Sequence, residues 1–240
     1  MNQTFLFAAF FLYVTLQISI CQPSCTLSEQ IQYFSNKTIL NSFPEYSQDP
    51  YDNLTSEQSA IINATIYNKS LVCALKYQDP FNQTYTLSNF GSQDEALNEG
   101  YIITHQGKCG SCSTLFDLVA YLKQNLTAPV RKCGAFGVLS KTWSLDCLSK
   151  LGFTKPCAEI WYFNTVNTRK KCFGICMWAW ITNEPNVDEN GNLNSCLQCD
   201  EDQSGPVFKY YSGRTRRNSG IHSEIDRPSD DIYNITHCYF

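Results

Sequence analysis

The segment Gln106-Gly107-Lys108-Cys109-Gly110-Ser111-Cys112 sets two thiols three residues apart, behind a Gln-Gly turn and directly before a helix-like run, Ser113 to Lys123. Three chemistries use such residues. A thiol at a helix N-terminus has a lowered pKa and, with a histidine as base, becomes a nucleophile. Cys112 would then be the nucleophile and His222 or His237 the base. Alternatively Cys109 and Cys112 form a redox CxxC pair, with Cys109 attacking. In the third reading each sulfur is bonded elsewhere in a rigid scaffold.

The same seven residues resemble the active-site box of papain-type cysteine peptidases, Q-G-x-C-G-S-C. That resemblance implies a nucleophilic Cys112, an oxyanion-binding Gln106 and a structural disulfide at Cys109. Outside the box the chain departs from the family. Ser113 stands where an aromatic residue follows the nucleophile, and no histidine lies between Cys112 and His222. Neither His222 nor His237 is followed by an N-S-W-G motif. The order strand, CGSC and helix after Tyr101-Ile102-Ile103-Thr104 also loosely resembles thioredoxin-type oxidoreductases, although Cys109 does not directly follow the strand.

Compartment decides how the thirteen cysteines are read. Phe5 to Ile20 is sixteen residues without a charge, and the first charged side chain is Glu29. The run is shorter than the roughly 18 to 20 apolar residues that cross a bilayer, and has the length of a signal-peptide core. Residues 1–21 are expected to be a signal peptide cleaved before Gln22, leaving no stable membrane span. In an oxidising lumen cysteines pair. Sequons at Asn36, Asn53, Asn63, Asn68, Asn82, Asn125 and Asn234 agree with that route. Cleavage before Gln22 also removes Cys21 and leaves twelve cysteines, an even set in which a free Cys112 would strand another thiol. A net charge of -4 gives no field for nucleic acid.

Other clusters offer weaker chemistry. Cys196 and Cys199 form a second CxxC that, with Cys109 and Cys112, could give zinc four thiolates, but in the secretory pathway disulfides are expected. Asn186 to Asn194 mimics the start of a calcium loop, yet Leu197 stands where a bidentate glutamate belongs, and Asn190-Gly191 reads as a hairpin turn. No metal or cofactor is expected. Arg214, Arg216 and Arg217, flanked by Gly and Ser, could hold an anion, mark a convertase site, or pair with Asp200, Glu201 and Asp202. Trp161, Asn164, Asn167, Thr168 and Lys171 recur at helical spacing near Met177-Trp178-Ala179-Trp180, a combination able to stack on a sugar or to form a wet helix face.

These residues need a framework. Helical spacing runs from Ser56 through Ile61, Ile62, Thr65, Ile66, Leu71, Val72 and Leu75. Leu115, Leu118, Val119 and Leu122 make an apolar stripe with Thr114 and Asp117 as its capping box, ended by Pro129. A short helix is expected between Ser144 and Gly152, and one of about four turns from Thr154, with Pro156 in its first turn. Strands are expected at 101–104 and at Pro206 to Tyr211. The fold class is α+β, an α-rich single disulfide-stabilised domain with a small β component. A glycosylated lobe (22–100) packs on a cysteine-rich main body (101–240). The expected protein is secreted or lumenal, with a binding or structural role toward an unknown ligand, anionic or carbohydrate. The alternatives are a thiol hydrolase centred on Cys112 and a CxxC oxidoreductase.

Overall fold

The computed structural model describes residues 25–223, 225 and 231–239. The expected signal peptide and Cys21 lie outside the described residues. The class is α+β and helix-rich. In chain order the elements are α1 (Leu27–Ser35), β1 (Thr38–Ile39), α2 (Ser56–Tyr67), β2 (Val72–Tyr77), β3 (Thr84–Phe90), α3 (Gln93–Asn98) and β4 (Ile102–Gln106). They are followed by α4 (Leu115–Lys123), α5 (Thr127–Phe136), α6 (Lys141–Lys150), α7 (Lys155–Ile181), α8 (Ser195–Gln203) and α9 (Gly205–Ser212).

The four strands lie in the order β1-β3-β2-β4, with β2 antiparallel to both neighbours and β1 parallel to β3. The expected helix from Ser56 to Leu75 is corrected here: it stops at Tyr67, and Val72 to Tyr77 is the central strand β2. Its four consecutive buried residues explain the misreading. Cys73 and Leu75 pack under Phe34, Tyr85, Leu115 and Leu118, whereas Val72 and Ala74 face Phe90 and Ala96. A strand covered on both faces loses the alternation that would reveal it.

Beside the sheet, α4, α5, α6, α7 and α9 enclose a second core containing Tyr121, Val130, Leu148, Phe153, Ile160 and Phe208. The expected strand at Pro206 to Tyr211 is the helix α9, with Pro in its first turn and Val207 and Phe208 buried. α6 starts earlier than expected, with Ser140 and not Ser144 as its cap. α7 is far longer than four turns: its 27 residues extend about 40 Å.

Six disulfides join these parts. They link Cys25 to Cys238, Cys73 to Cys109, Cys112 to Cys157, Cys133 to Cys147, Cys172 to Cys199 and Cys176 to Cys196. All twelve cysteines among the described residues are therefore bonded. Residues on both sides of position 100 share the sheet and two of the disulfides. Among the described residues no helix is long and apolar enough to cross a membrane.

Candidate functional site

Strand β4 delivers Gln106, and Gly107 turns the chain at φ 88° toward the cysteine-glycine box. The box then runs against the end of α9. The Ser111 amide donates to the Tyr211 carbonyl (2.9 Å) and the Cys112 amide to the Ser212 carbonyl (2.8 Å). A Cβ on Gly110 would lie 2.4 Å from the Tyr211 carbonyl oxygen, and one on Gly213 would lie 2.4 Å from the Gly110 nitrogen. Both glycines are required by this backbone contact.

The sulfurs are committed as well. Cys112 is fully buried and bonded to Cys157, which ties the start of α4 to α7. Cys109 is bonded to Cys73 on β2, so the two are not a redox pair with each other. Cys196 and Cys199 bond to α7, leaving no thiolate set for zinc. The N-terminus of α4 is capped by Thr114, whose hydroxyl accepts the Asp117 amide. No thiolate is stabilised there.

His105 is the histidine beside the box, and it is fully buried. Its Nδ1–H donates to the Gln106 carbonyl (2.9 Å), so Nε2 accepts the Ser113 hydroxyl at 2.7 Å. Ser113 Oγ in turn accepts the Gly110 amide (2.8 Å). Burial first, then the charge of Arg214, holds the His105 pKa well below its ordinary value, so the ring is neutral. His237 is also buried, its Nε2 on the Ser219 carbonyl (2.8 Å) and its Nδ1 on the Tyr239 hydroxyl. Burial, helped by Arg214, lowers its pKa to about 4. His222 is exposed, and Gln106 Nε2 donates to the Lys69 carbonyl (2.7 Å). Cys112, Gln106, His222 and His237 thus do not assemble into a nucleophile, base and oxyanion donor.

The arginine cluster separates into three fates. Arg214 has no exposed surface, and its guanidinium donates to the carbonyls of Thr104, Cys112 and Ser113 (3.2 Å each) and to Ser219 Oγ (3.0 Å). It binds backbone, so it is not available to an external anion. Arg216 donates to the Tyr121, Gln124 and His222 carbonyls, and Arg217 pairs with Glu201 at 3.4 Å. The bond after Arg217 lies in a 3-10 turn, not in the extended backbone that a processing protease needs.

The polar stripe of α7 is corrected likewise. Asn164 and Asn167 are buried, and with Thr168 they bind Tyr51, Asp200, Gln203 and Ser204. They seal α8 and α9 onto α7. Trp161 packs between Phe153 and Phe208. Asn164, Asn167 and Thr168 therefore form neither a sugar platform nor a wet face.

One open site lies elsewhere. Pro129, Lys132, Cys133 and Phe136 of α5 face Trp143, Asp146, Cys147 and Lys150 of α6 across a groove of about 750 Å³, which Ala128 and Leu151 also line. On each helix the four residues follow the i, i+3, i+4, i+7 pattern of a single face. The Cys133–Cys147 disulfide fixes the spacing of the two helices. Trp143 remains 58 % exposed and Phe136 38 %. Lys132, Asp146 and Lys150 stand at the groove without an ion pair among the described residues. Sequence reading missed the groove, although the paired helical spacing was present in the chain.

A family of unknown function (DUF8771) matches residues 141–235, from α6 to the segment after the arginine cluster. No curated protein and no solved structure matches the chain. The papain-type resemblance is overturned: the matched family is not that of the peptidases, and the box residue expected to attack is a disulfide sulfur.

Proposed function

We propose that this protein works outside the cytosol, in the secretory lumen or beyond the cell, as an N-glycosylated binding protein whose ligand occupies the α5–α6 groove. The groove carries this reading. Its volume falls within the roughly 300 to 1,000 Å³ usual for small-molecule sites, and its walls are mainly apolar. The ligand is a small amphipathic molecule: an apolar body against Phe136 and Trp143, and an anionic group reaching Lys132 or Lys150. Twelve bonded cysteines support an oxidising compartment. None of the seven sequon asparagines past residue 21 is buried, which leaves each accessible to a glycan.

The test uses purified secreted protein and the anionic aromatic probe anilinonaphthalene sulfonate. Saturable, blue-shifted emission is expected. Phe136→Ala with Trp143→Ala should weaken binding at least about tenfold, given roughly 1.5 to 3 kcal/mol per buried large side chain. Equal binding by the double variant would overturn the groove assignment. Glycosidase digestion of the same material should lower its apparent mass; an unchanged band would overturn the compartment.

A further inference from the structure

The last three turns of α7 expose most of their side chains. Cys172 and Cys176 bond to Cys199 and Cys196, so this end of the helix is stapled side by side to α8. At about 100° per residue, Cys172, Cys176 and Ala179 share the face toward α8. Every other position from Phe173 to Ile181 is exposed, and all but Gly174 carry large apolar side chains. Phe173, Ile175, Met177, Trp178, Trp180 and Ile181 are between 38 % and 76 % exposed. Among the described residues nothing covers them. Soluble surfaces rarely carry so concentrated an apolar patch without a partner.

From this stapled, aromatic-rich helix end we infer a membrane-docking surface: Phe173–Ile181 lies in the interface of a zwitterionic bilayer. Three observations select the bilayer over a second copy of the chain. First, the apolar residues spread over roughly 220° of the helix, from Trp180 round to Ile175. A partner helix covers one stripe of that arc, whereas acyl chains can wet all of it. Second, two of the four tryptophans, Trp178 and Trp180, are among these residues, and indole favours the boundary between head groups and hydrocarbon. Third, the charges match a layer that bears both signs. No charged residue occurs from Cys172 to Asn183, and the run is bounded by Lys171 and Glu184. A phosphate-and-ammonium head-group layer offers counter-charges to both, with no requirement for anionic lipid.

Length fixes the mode of contact. Nine residues of helix extend about 14 Å, too short to cross a hydrocarbon core of about 30 Å. The start of α8, joined through Cys196 and Cys199, backs the opposite face. The segment therefore lies along the interface, its apolar face buried by roughly 5 to 10 Å, in the manner of a monotopic amphipathic helix. The staples preform it, so no folding accompanies docking. This inference stands on α7 and α8 alone and is independent of the α5–α6 groove.

The experiment takes the full-length, disulfide-bonded secreted protein and floats it with phosphatidylcholine vesicles, with and without brominated acyl chains. The wild type should float, its tryptophan emission should shift to the blue, and brominated chains should quench it. Raising salt from roughly 0.05 to 0.5 M should change the floated fraction less than twofold, since long-range charge attraction is screened across that range. The Trp178→Ser/Trp180→Ser variant should lose at least tenfold in vesicle affinity while keeping its thermal midpoint, both residues being exposed. Equal flotation of the variant, or flotation that requires anionic lipid, would overturn the inference. So would failure of the wild type to float, whether it stays monomeric or forms a dimer through these residues; a dimer would make a second copy the occupant.

Discussion

Replacing Arg214 by Met should unfold the joint between β4, the start of α4 and the segment after α9. The side chain has no exposed surface and supplies four hydrogen bonds, three of them to the main-chain carbonyls of Thr104, Cys112 and Ser113. Methionine fills similar space but donates nothing. Each stranded buried carbonyl costs about 1 to 3 kcal/mol, a gross penalty of roughly 3 to 9. Removing a buried cation returns several kcal/mol of desolvation, which brings the net loss to about 1 to 5 kcal/mol. For a chain of this size that corresponds to a fall of about 2 to 20 °C in thermal midpoint. Arg214→Lys should fare little better, because an ammonium cannot span three carbonyls as the planar fork does. Arg217→Met is the internal control: its pair with Glu201 is partly exposed and should contribute no more than about 1 kcal/mol. Differential scanning calorimetry of the oxidised proteins reads all three. If Arg214→Met lowers the midpoint by less than about 2 °C, or raises it, the structural role is refuted and an arginine held for an external anion becomes the better account.

Two further outcomes follow from the buried groups. The His237 pKa is depressed from 6.5 to about 4, so the unfolded chain protonates first on acidification; stability is full above pH 6.5 and is lost toward pH 4, by about 3 kcal/mol for this residue, with His105 acting in the same direction. Asp117, raised by burial to about 6, opposes this by favouring the fold as pH falls through that value, so urea midpoints at pH 7 and pH 4.5 should differ less in His237→Gln and more in Asp117→Asn than in the wild type. Separately, native protein should resist iodoacetamide at Cys112, and Cys112→Ser should cut secretion, since opening a loop with a sequence separation of 45 residues costs about 4 kcal/mol; stoichiometric labelling of native Cys112 would contradict the disulfide.

The sequence was most legible where an element carries its own boundary signal. Thr114 and Asp117 announce the start of α4, and Thr154 with Pro156 announces that of α7. Thr154 illustrates the limit of such reading. It occupies the cap position, but its amide and hydroxyl turn to the Asp117 carboxylate, an arrangement only the packed structure creates. β2 was misread because burial on both faces erased its period. α9 was misread because Val, Phe and Tyr favour strands, while its role is to press Val207 and Phe208 against neighbouring helices. The asparagines of α7 have the spacing of a solvated face, and only the docking of α8 and α9 makes that face interior. The length of α7 was in principle readable: cysteines four apart at Cys172 and Cys176, and three apart at Cys196 and Cys199, are what two antiparallel helices need to be stapled twice.

The cysteine-glycine box was misleading for a physical reason. A thiol nucleophile requires a close backbone approach, a helix N-terminus and neighbouring hydrogen-bond groups, and a structural joint requires the same three features. What separates the two is whether any group is left uncommitted. In a reacting site a sulfur, a ring nitrogen and an amide pair must remain open to substrate. In this joint the sulfur is bonded to Cys157, both nitrogens of His105 are engaged, and the Ser111 and Cys112 amides donate to α9. Arg214 then fills the space beneath with donors already bound to carbonyls. Such a region stabilises the fold through groups that are already paired. Uncommitted surface lies in the groove lined by Phe136 and Trp143 and on the aromatic end of α7, where side chains are exposed on a backbone fixed by three disulfides. Rigidity in those places lowers the entropy lost on binding.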